Sequence, residues 1–112
     1  MNKSTKQFEK YRKKLKEKLL QESNGLCEFC GRFMGKKYLT LHEIFGGAYR
    51  KASVYCNAVA LVCPLCNCMA LEGSGILTSE EANKKLCVQK GLDYNELMTQ
   101  VYTCDVKKER LQ

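Results

Sequence analysis

The chain has 112 residues, eight cysteines, 19 basic and 12 acidic side chains and a net charge of +7. This length allows one small domain, and a core that small often needs a metal or disulfides for stability. There is no run of about 18 apolar residues, and residues 1–20 lack the apolar segment of a secretory signal. We therefore expect a cytoplasmic location, where thiols stay reduced and cysteines are more typical of metal binding. The basic excess favours a polyanionic partner, nucleic acid before an anionic membrane surface.

The first predicted element is a basic amphipathic helix within residues 1–22. Apolar side chains recur at helical spacing over residues 5–22, and the opposite face is basic. Gly25 suits the left-handed position that ends a helix. The basic face is either solvated or also lies along phosphates, in which case Lys13 and Lys14 are candidate contacts.

Residues 23–77 form the predicted core. The segments KKYLTLHEIF and AVALVC have the pattern of short strands, and we expect residues 26–63 to consist of strands and turns. Pro64 suits the first position of a short helix, PLCNCMAL.

Residues 78–112 are predicted to hold two helices and a polar tail. The first covers Thr78 to Gln89, with Thr78 and Glu81 spaced as a capping box, and the second covers Tyr94 to Tyr102.

Two CxxC units, CEFC and CPLC, are the strongest motif in the sequence. Each places two thiolates on one tight turn, and together they complete a tetrahedral site for a structural zinc ion, formed by Cys27, Cys30, Cys63 and Cys66. The alternatives are a thioredoxin-like redox pair or buried thiols. The remaining cysteines are expected to pack in the core, although a second zinc site would need Cys87 and Cys104 to come together. These remaining cysteines are Cys56, Cys68, Cys87 and Cys104.

The segment between the CxxC units contains His42, the only histidine, followed by Glu43. Asn57 lies further on, and Asn67 follows the last cysteine of the second unit. A strand that carries His42 and Glu43, opposed to a helix start that carries Asn67, would form a small cleft lined by nitrogen and oxygen. Such a cleft suits one divalent ion that polarises a phosphate. The alternative for His42 is a purely structural histidine.

The segments LCEFCGR, LHEIFGGAYRKAS and ALVCPLCN resemble the HNH endonucleases, in particular the zinc-stabilised forms common in phages. The resemblance covers roughly residues 20–77. It implies an α+β fold with a small zinc-bound, treble-clef-like ββα-metal core between N- and C-terminal helices. It also implies DNA cleavage with Mg²⁺ or another divalent cation, and for a phage protein it implies the host cytoplasm.

The resemblance also implies roles for individual residues. His42 falls at the position of a metal ligand, Glu43 at that of the general base, Asn67 at that of the last ligand and Asn57 near the middle Asn of the family motif. The family has a histidine where this chain has Glu43, so the active site is expected to be altered. Arg50 and Lys51 follow the Gly-Gly turn as a basic pair of the family does, either to clamp a phosphate or as exposed loop charges.

Three functions are compatible with the sequence. The first is an HNH-type endonuclease or nicking enzyme. The second is a catalytically inactive zinc protein that binds DNA or RNA. The third is a phage accessory protein or inhibitor whose C-terminal helices bind another protein.

Overall fold

The computed structural model describes residues 3–67 and 79–104, which form an α+β fold. Helix α1 (Lys3–Glu22) precedes strand β1 (Thr40–Glu43), helix α2 (Arg50–Tyr55) and strand β2 (Val59–Val62). The short helix α3 (Pro64–Cys66) follows, then helices α4 (Ser79–Gln89) and α5 (Tyr94–Tyr102). None of the described helices is long and apolar enough to cross a membrane.

The two strands form an antiparallel pair that holds the candidate site residues. His42 pairs with Ala60 and Glu43 with Val59. All four residues of β2 are buried, which explains why its sequence is a continuous apolar run. Both predicted strands are confirmed, with shorter bounds than the sequence segments suggested.

Helix α2 corrects the expectation that residues 26–63 contain only strands and turns. Its sequence, RKASVY, has β-branched and aromatic residues and no side-chain cap, so local signals for a helix are weak. Burial and tertiary hydrogen bonds hold it: Ser53 is fully buried, donates to the Ala58 carbonyl at 2.6 Å and accepts from the Phe45 N–H at 3.2 Å. Asn57 follows in a left-handed conformation (φ 57°), which turns the chain into β2.

Helix α1 is confirmed and begins two residues before the predicted start. Its apolar stripe faces the core, where Phe8 is only 2% exposed and Leu15 and Leu19 are partly buried. Lys13 and Lys14 on the opposite face are exposed.

The C-terminal helices also match the prediction closely. Helix α4 begins at Ser79, whereas Thr78 lies outside the described residues. Helix α5 has the predicted bounds, and the Asp93 side chain caps it by accepting from the Glu96 N–H at 3.0 Å. Leu86 and Val101 are fully buried, so both helices complete the core. The predicted helix PLCNCMAL is seen as α3, and its residues 68–71 lie outside the described part.

Candidate metal centre and adjoining cleft

The two CxxC units meet at one point. The sulfur atoms of Cys27, Cys30, Cys63 and Cys66 all lie within 4.8 Å of one another. A tetrahedral zinc with bonds of about 2.3 Å places its sulfur ligands about 3.8 Å apart, so these residues could hold a metal ion such as zinc. Within residues 3–67 and 79–104, no second group of three or more such ligands occurs. Cys56, Cys87 and Cys104 therefore form no second centre there, and Cys68 lies outside the described residues.

Backbone N–H groups surround the Cys27 sulfur. The N–H groups of Phe29 and Cys30 donate to it at 3.4 Å and that of Cys63 at 3.3 Å. Burial acts to raise the pKa of the Cys27 thiol, but these hydrogen bonds outweigh it and lower the pKa to about 7. Burial and hydrogen bonds to neighbouring thiols raise the pKa of Cys66. The thiols resist ionising together because their negative charges would repel, and a bound cation removes that penalty.

Glu28 joins the first CxxC turn to the rest of the fold. Its carboxylate accepts from the Leu61 N–H on β2 and pairs with Lys90 Nζ at 2.6 Å. The turn is therefore held against the sheet and the end of α4, which keeps Cys27 and Cys30 close to Cys63.

A second feature, which we call the cleft, is a cavity of about 470 Å³ whose lining includes Asn67, the residue that follows the last cysteine of the cluster. It brings together three of the predicted site residues, His42 and Glu43 from β1 and Asn67 after α3. Asn57 does not line it and instead lines a separate cavity with Leu15 and Leu19 of α1. The residues that line the cleft are Arg12, Thr40, Leu41, His42, Glu43, Gly46, Gly47 and Asn67.

Glu43 is bound by two guanidinium groups. Arg12 Nη2 lies 2.9 Å from its Oε2 atom, and Arg50 Nε lies 2.9 Å from its Oε1 atom. Arg12 also donates to the Leu41 carbonyl at 3.0 Å, and Arg50 reaches Glu9 at 3.4 Å. Both carboxylate oxygens of Glu43 thus accept charge-assisted hydrogen bonds, which makes this carboxylate a fixed anchor for two cations.

His42 is buried, and its Nε2 atom lies 2.7 Å from the Asn83 Oδ1 atom. Asn83 belongs to α4, far from β1 in sequence. Its amide nitrogen donates to the Ser79 carbonyl at 2.8 Å. The imidazole is therefore held by a specific side chain, while its Nδ1 atom makes no hydrogen bond to any of the described residues.

Two buried polar atoms at the cleft have no hydrogen-bond partner among residues 3–67 and 79–104: Asn67 Oδ1 and Arg12 Nε. A buried polar group without a partner is unfavourable by about 1–3 kcal/mol. One atom is an acceptor that suits a cation, and the other is a donor that suits an anion. Both atoms can therefore form a hydrogen bond with a group that enters the cleft.

The predicted contact residues have different environments. Arg50 is engaged by Glu43 and Glu9 and lies over the Phe8 ring at 5.1 Å, and Lys51 Nζ lies 5.8 Å from the centre of the same ring. Lys13 and Lys14 are exposed on α1.

Sequence reasoning missed Arg12 and Asn83 as site residues. In the sequence, Arg12 is one of several charges on the basic helix, and only its residue type distinguishes it from its lysine neighbours. An arginine among lysines is a weak signal, because its planar guanidinium suits a carboxylate. Asn83 had no signal, because only the tertiary fold places it beside His42.

Searches among known protein families, characterised proteins and solved structures return no match to this chain.

Proposed function

We propose that the chain has a zinc-stabilised, treble-clef-like ββα-metal core of the HNH type. Three observations support this: an antiparallel pair of strands, a short helix directly after the second strand, and four cysteines that converge where that helix begins. The chemistry of four thiolates favours zinc, in a closed site that has a structural role. Asn67 then follows the last zinc ligand.

We propose further that the protein is a metal-dependent phosphodiesterase that cleaves DNA at the cleft. The observation that carries this proposal is the buried, unpartnered Oδ1 atom of Asn67 in a cavity shared with the only histidine. An imidazole nitrogen and an amide oxygen are suitable ligands for a divalent transition ion or Mg²⁺. Such an ion, when bound, would polarise the scissile phosphate and stabilise the leaving oxygen.

In this proposal, each residue of the cleft has a separate role in binding the metal ion or the phosphate. His42 and Asn67 would hold the divalent ion from β1 and from the residue after α3. The Nε atom of Arg12 would donate to a phosphate oxygen of the DNA. Glu43 would hold Arg12 and Arg50 in place through its two ion pairs, a role that differs from the general base implied by the family resemblance.

A second candidate function is nucleic-acid binding without cleavage. The Arg12 guanidinium lines the same cleft as His42 and Asn67, and a positive charge there disfavours a divalent ion and favours a phosphate. The basic face of α1 would extend this surface along DNA or RNA. Nothing specific in the described residues favours the third function, a protein partner for the C-terminal helices.

A plasmid-nicking assay tests the two proposals. The purified protein is incubated with supercoiled and branched DNA in Mg²⁺, Mn²⁺, Ni²⁺ or Zn²⁺, and DNA binding is measured separately. We expect cleavage that is lost in His42→Ala and Asn67→Ala, while binding persists. Asn95→Ala, an exposed asparagine on α5, is the matched control and should cleave like wild type.

Each outcome has a clear meaning. Binding with no cleavage in any of the four ions would overturn the nuclease and support the second function. Cleavage that persists in both variants would place the active site elsewhere. If the protein neither binds nor cleaves DNA, both proposals are rejected.

A further inference from the structure

The contact between His42 and Asn83 joins the cleft to helix α4. Both residues are nearly inaccessible to solvent, His42 at 8% and Asn83 at 4%. The separation of 2.7 Å between Nε2 and Oδ1 is that of a short hydrogen bond. Because water is largely excluded, the two groups depend on each other as partners.

The helix fixes which end of the Asn83 amide faces the imidazole. The Nδ2 atom lies 2.8 Å from the Ser79 carbonyl oxygen and 3.4 Å from the Ser79 hydroxyl. A carbonyl oxygen only accepts, so the amide nitrogen must face Ser79. Rotating the amide by half a turn would place two acceptors against each other on that side. The amide oxygen therefore faces His42.

An acceptor at this distance requires a proton on the Nε2 atom of His42. We propose that Asn83 is a positioning residue that holds His42 in its Nε2–H tautomer and leaves the lone pair on Nδ1. Nδ1 is then the nitrogen that serves the cleft, as an ion ligand or as a proton acceptor. This use of Nδ1 rests on the proposed function, whereas the tautomer does not.

Nuclear magnetic resonance can test the tautomer directly, because His42 is the only histidine in the chain. Labelling histidine with ¹⁵N gives the spectrum of a single imidazole. The full-length, zinc-loaded protein is measured without added divalent ions or DNA, at about pH 8, where an ordinary imidazole is neutral. In wild type we expect a protonated Nε2, an unprotonated Nδ1 and slow exchange of the Nε2 proton with water.

Three variants distinguish positioning from a general structural role. In Asn83→Ala the two nitrogen shifts should move towards each other, as expected for mixed tautomers, and the slowly exchanging proton should disappear. Asn83→Asp keeps an acceptor towards Nε2 and should retain the proton on that nitrogen, although its second oxygen loses the hydrogen bond to the Ser79 carbonyl. Asn95→Ala is the matched control. Circular dichroism and zinc content establish that each variant is folded.

Two results would overturn the proposal: a wild-type spectrum with the proton on Nδ1, or a folded Asn83→Ala protein with the wild-type pattern. If Asn83→Ala does not fold, the spectra of wild type and Asn83→Asp still test which nitrogen of His42 carries the proton. In the nicking assay, we expect Asn83→Ala to lower the cleavage rate roughly 10- to 100-fold and Asn83→Asp to restore it. Absence of cleavage in wild type with the predicted spectrum would reject the nuclease and leave the role of Asn83 intact.

Discussion

At the scale of single residues, the unexpected feature is Glu43. In the family resemblance it occupies the position of a general base, yet its two oxygens accept hydrogen bonds from Arg12 and Arg50. Its side chain is only 14% exposed, so water screens these ion pairs less than it screens surface pairs. Glu43 thereby connects α1, β1 and the start of α2.

We predict that Glu43→Gln lowers the free energy of unfolding by about 2 kcal/mol, because an amide of similar shape replaces charge-assisted hydrogen bonds with weaker ones. Urea denaturation of the zinc-loaded protein measures this change. Glu80→Gln is the matched control, since Glu80 makes an exposed ion pair with Lys84 on α4 and should change stability by less than about 0.5 kcal/mol. Equal effects of the two substitutions would show that the Glu43 pairs contribute no more than a surface pair.

At the scale of elements, helix α1 has two functions on opposite faces. Phe8 on its apolar face is buried in the core. The Arg12 side chain extends to the cleft, where it donates to the Leu41 carbonyl. Its other face presents lysines to solvent. The same helix therefore lines the cleft, and we propose that its exposed lysines contribute to a phosphate-binding surface.

We predict that Phe8→Ala lowers the free energy of unfolding by about 3–5 kcal/mol, because it removes a fully buried ring and leaves a cavity. Phe33→Ala is the matched control, as Phe33 is 73% exposed, and its effect should be below about 1 kcal/mol. Urea denaturation provides both values. Limited proteolysis should also cut α1 faster in Phe8→Ala than in the control, and equal cutting would contradict its docking on the core.

We predict that reversing the charges of Lys13 and Lys14 to glutamate weakens DNA binding. If both residues contact phosphates, the slope of log K against log salt concentration should decrease in magnitude by about 2. Fluorescence anisotropy at several salt concentrations measures the slope. The matched control reverses Lys84 and Lys85, which are exposed on α4. An unchanged slope in the α1 variant would exclude this face as the contact surface.

At the scale of the whole molecule, the cysteine cluster joins two distant parts of the chain. The turn after α1 supplies Cys27 and Cys30, and the end of β2 supplies Cys63, followed by Cys66 in α3. A metal ion at this position would hold the turn, the sheet and the residue Asn67 together. In so short a chain, its binding energy would also be a large part of the folding energy.

We predict that removing the metal unfolds the protein. Structural zinc binding in small domains has apparent free energies of about 10–16 kcal/mol, comparable to the whole stability of a domain. Chelation, or Cys63→Ser, should abolish the thermal transition seen by circular dichroism. Cys104→Ser is the control and should retain wild-type zinc content by elemental analysis. A wild-type protein purified without metal, yet folded, would reject the zinc centre.

The sequence alone predicted the helices α1, α4 and α5, both strands and the four cysteines that meet. Local chemistry is sufficient for these features. Helical periodicity shows which face is buried, and a CxxC turn positions its two thiols whatever surrounds it. The same local signals failed for α2, since burial of Ser53 and Val54 and the hydrogen bonds of Ser53 stabilise that helix.

Only the tertiary structure decided which side chains contact one another at the cleft. The pairing of Glu43 with Arg12, the bond between His42 and Asn83, and the distance of Asn57 from the cleft all depend on how remote segments pack. A sequence pattern records which groups a residue carries, but a hydrogen-bond partner far along the chain is chosen by the fold. For that reason, the sequence shows which residue types the site contains. Only the folded structure shows which of their atoms have no hydrogen-bond partner among the described residues.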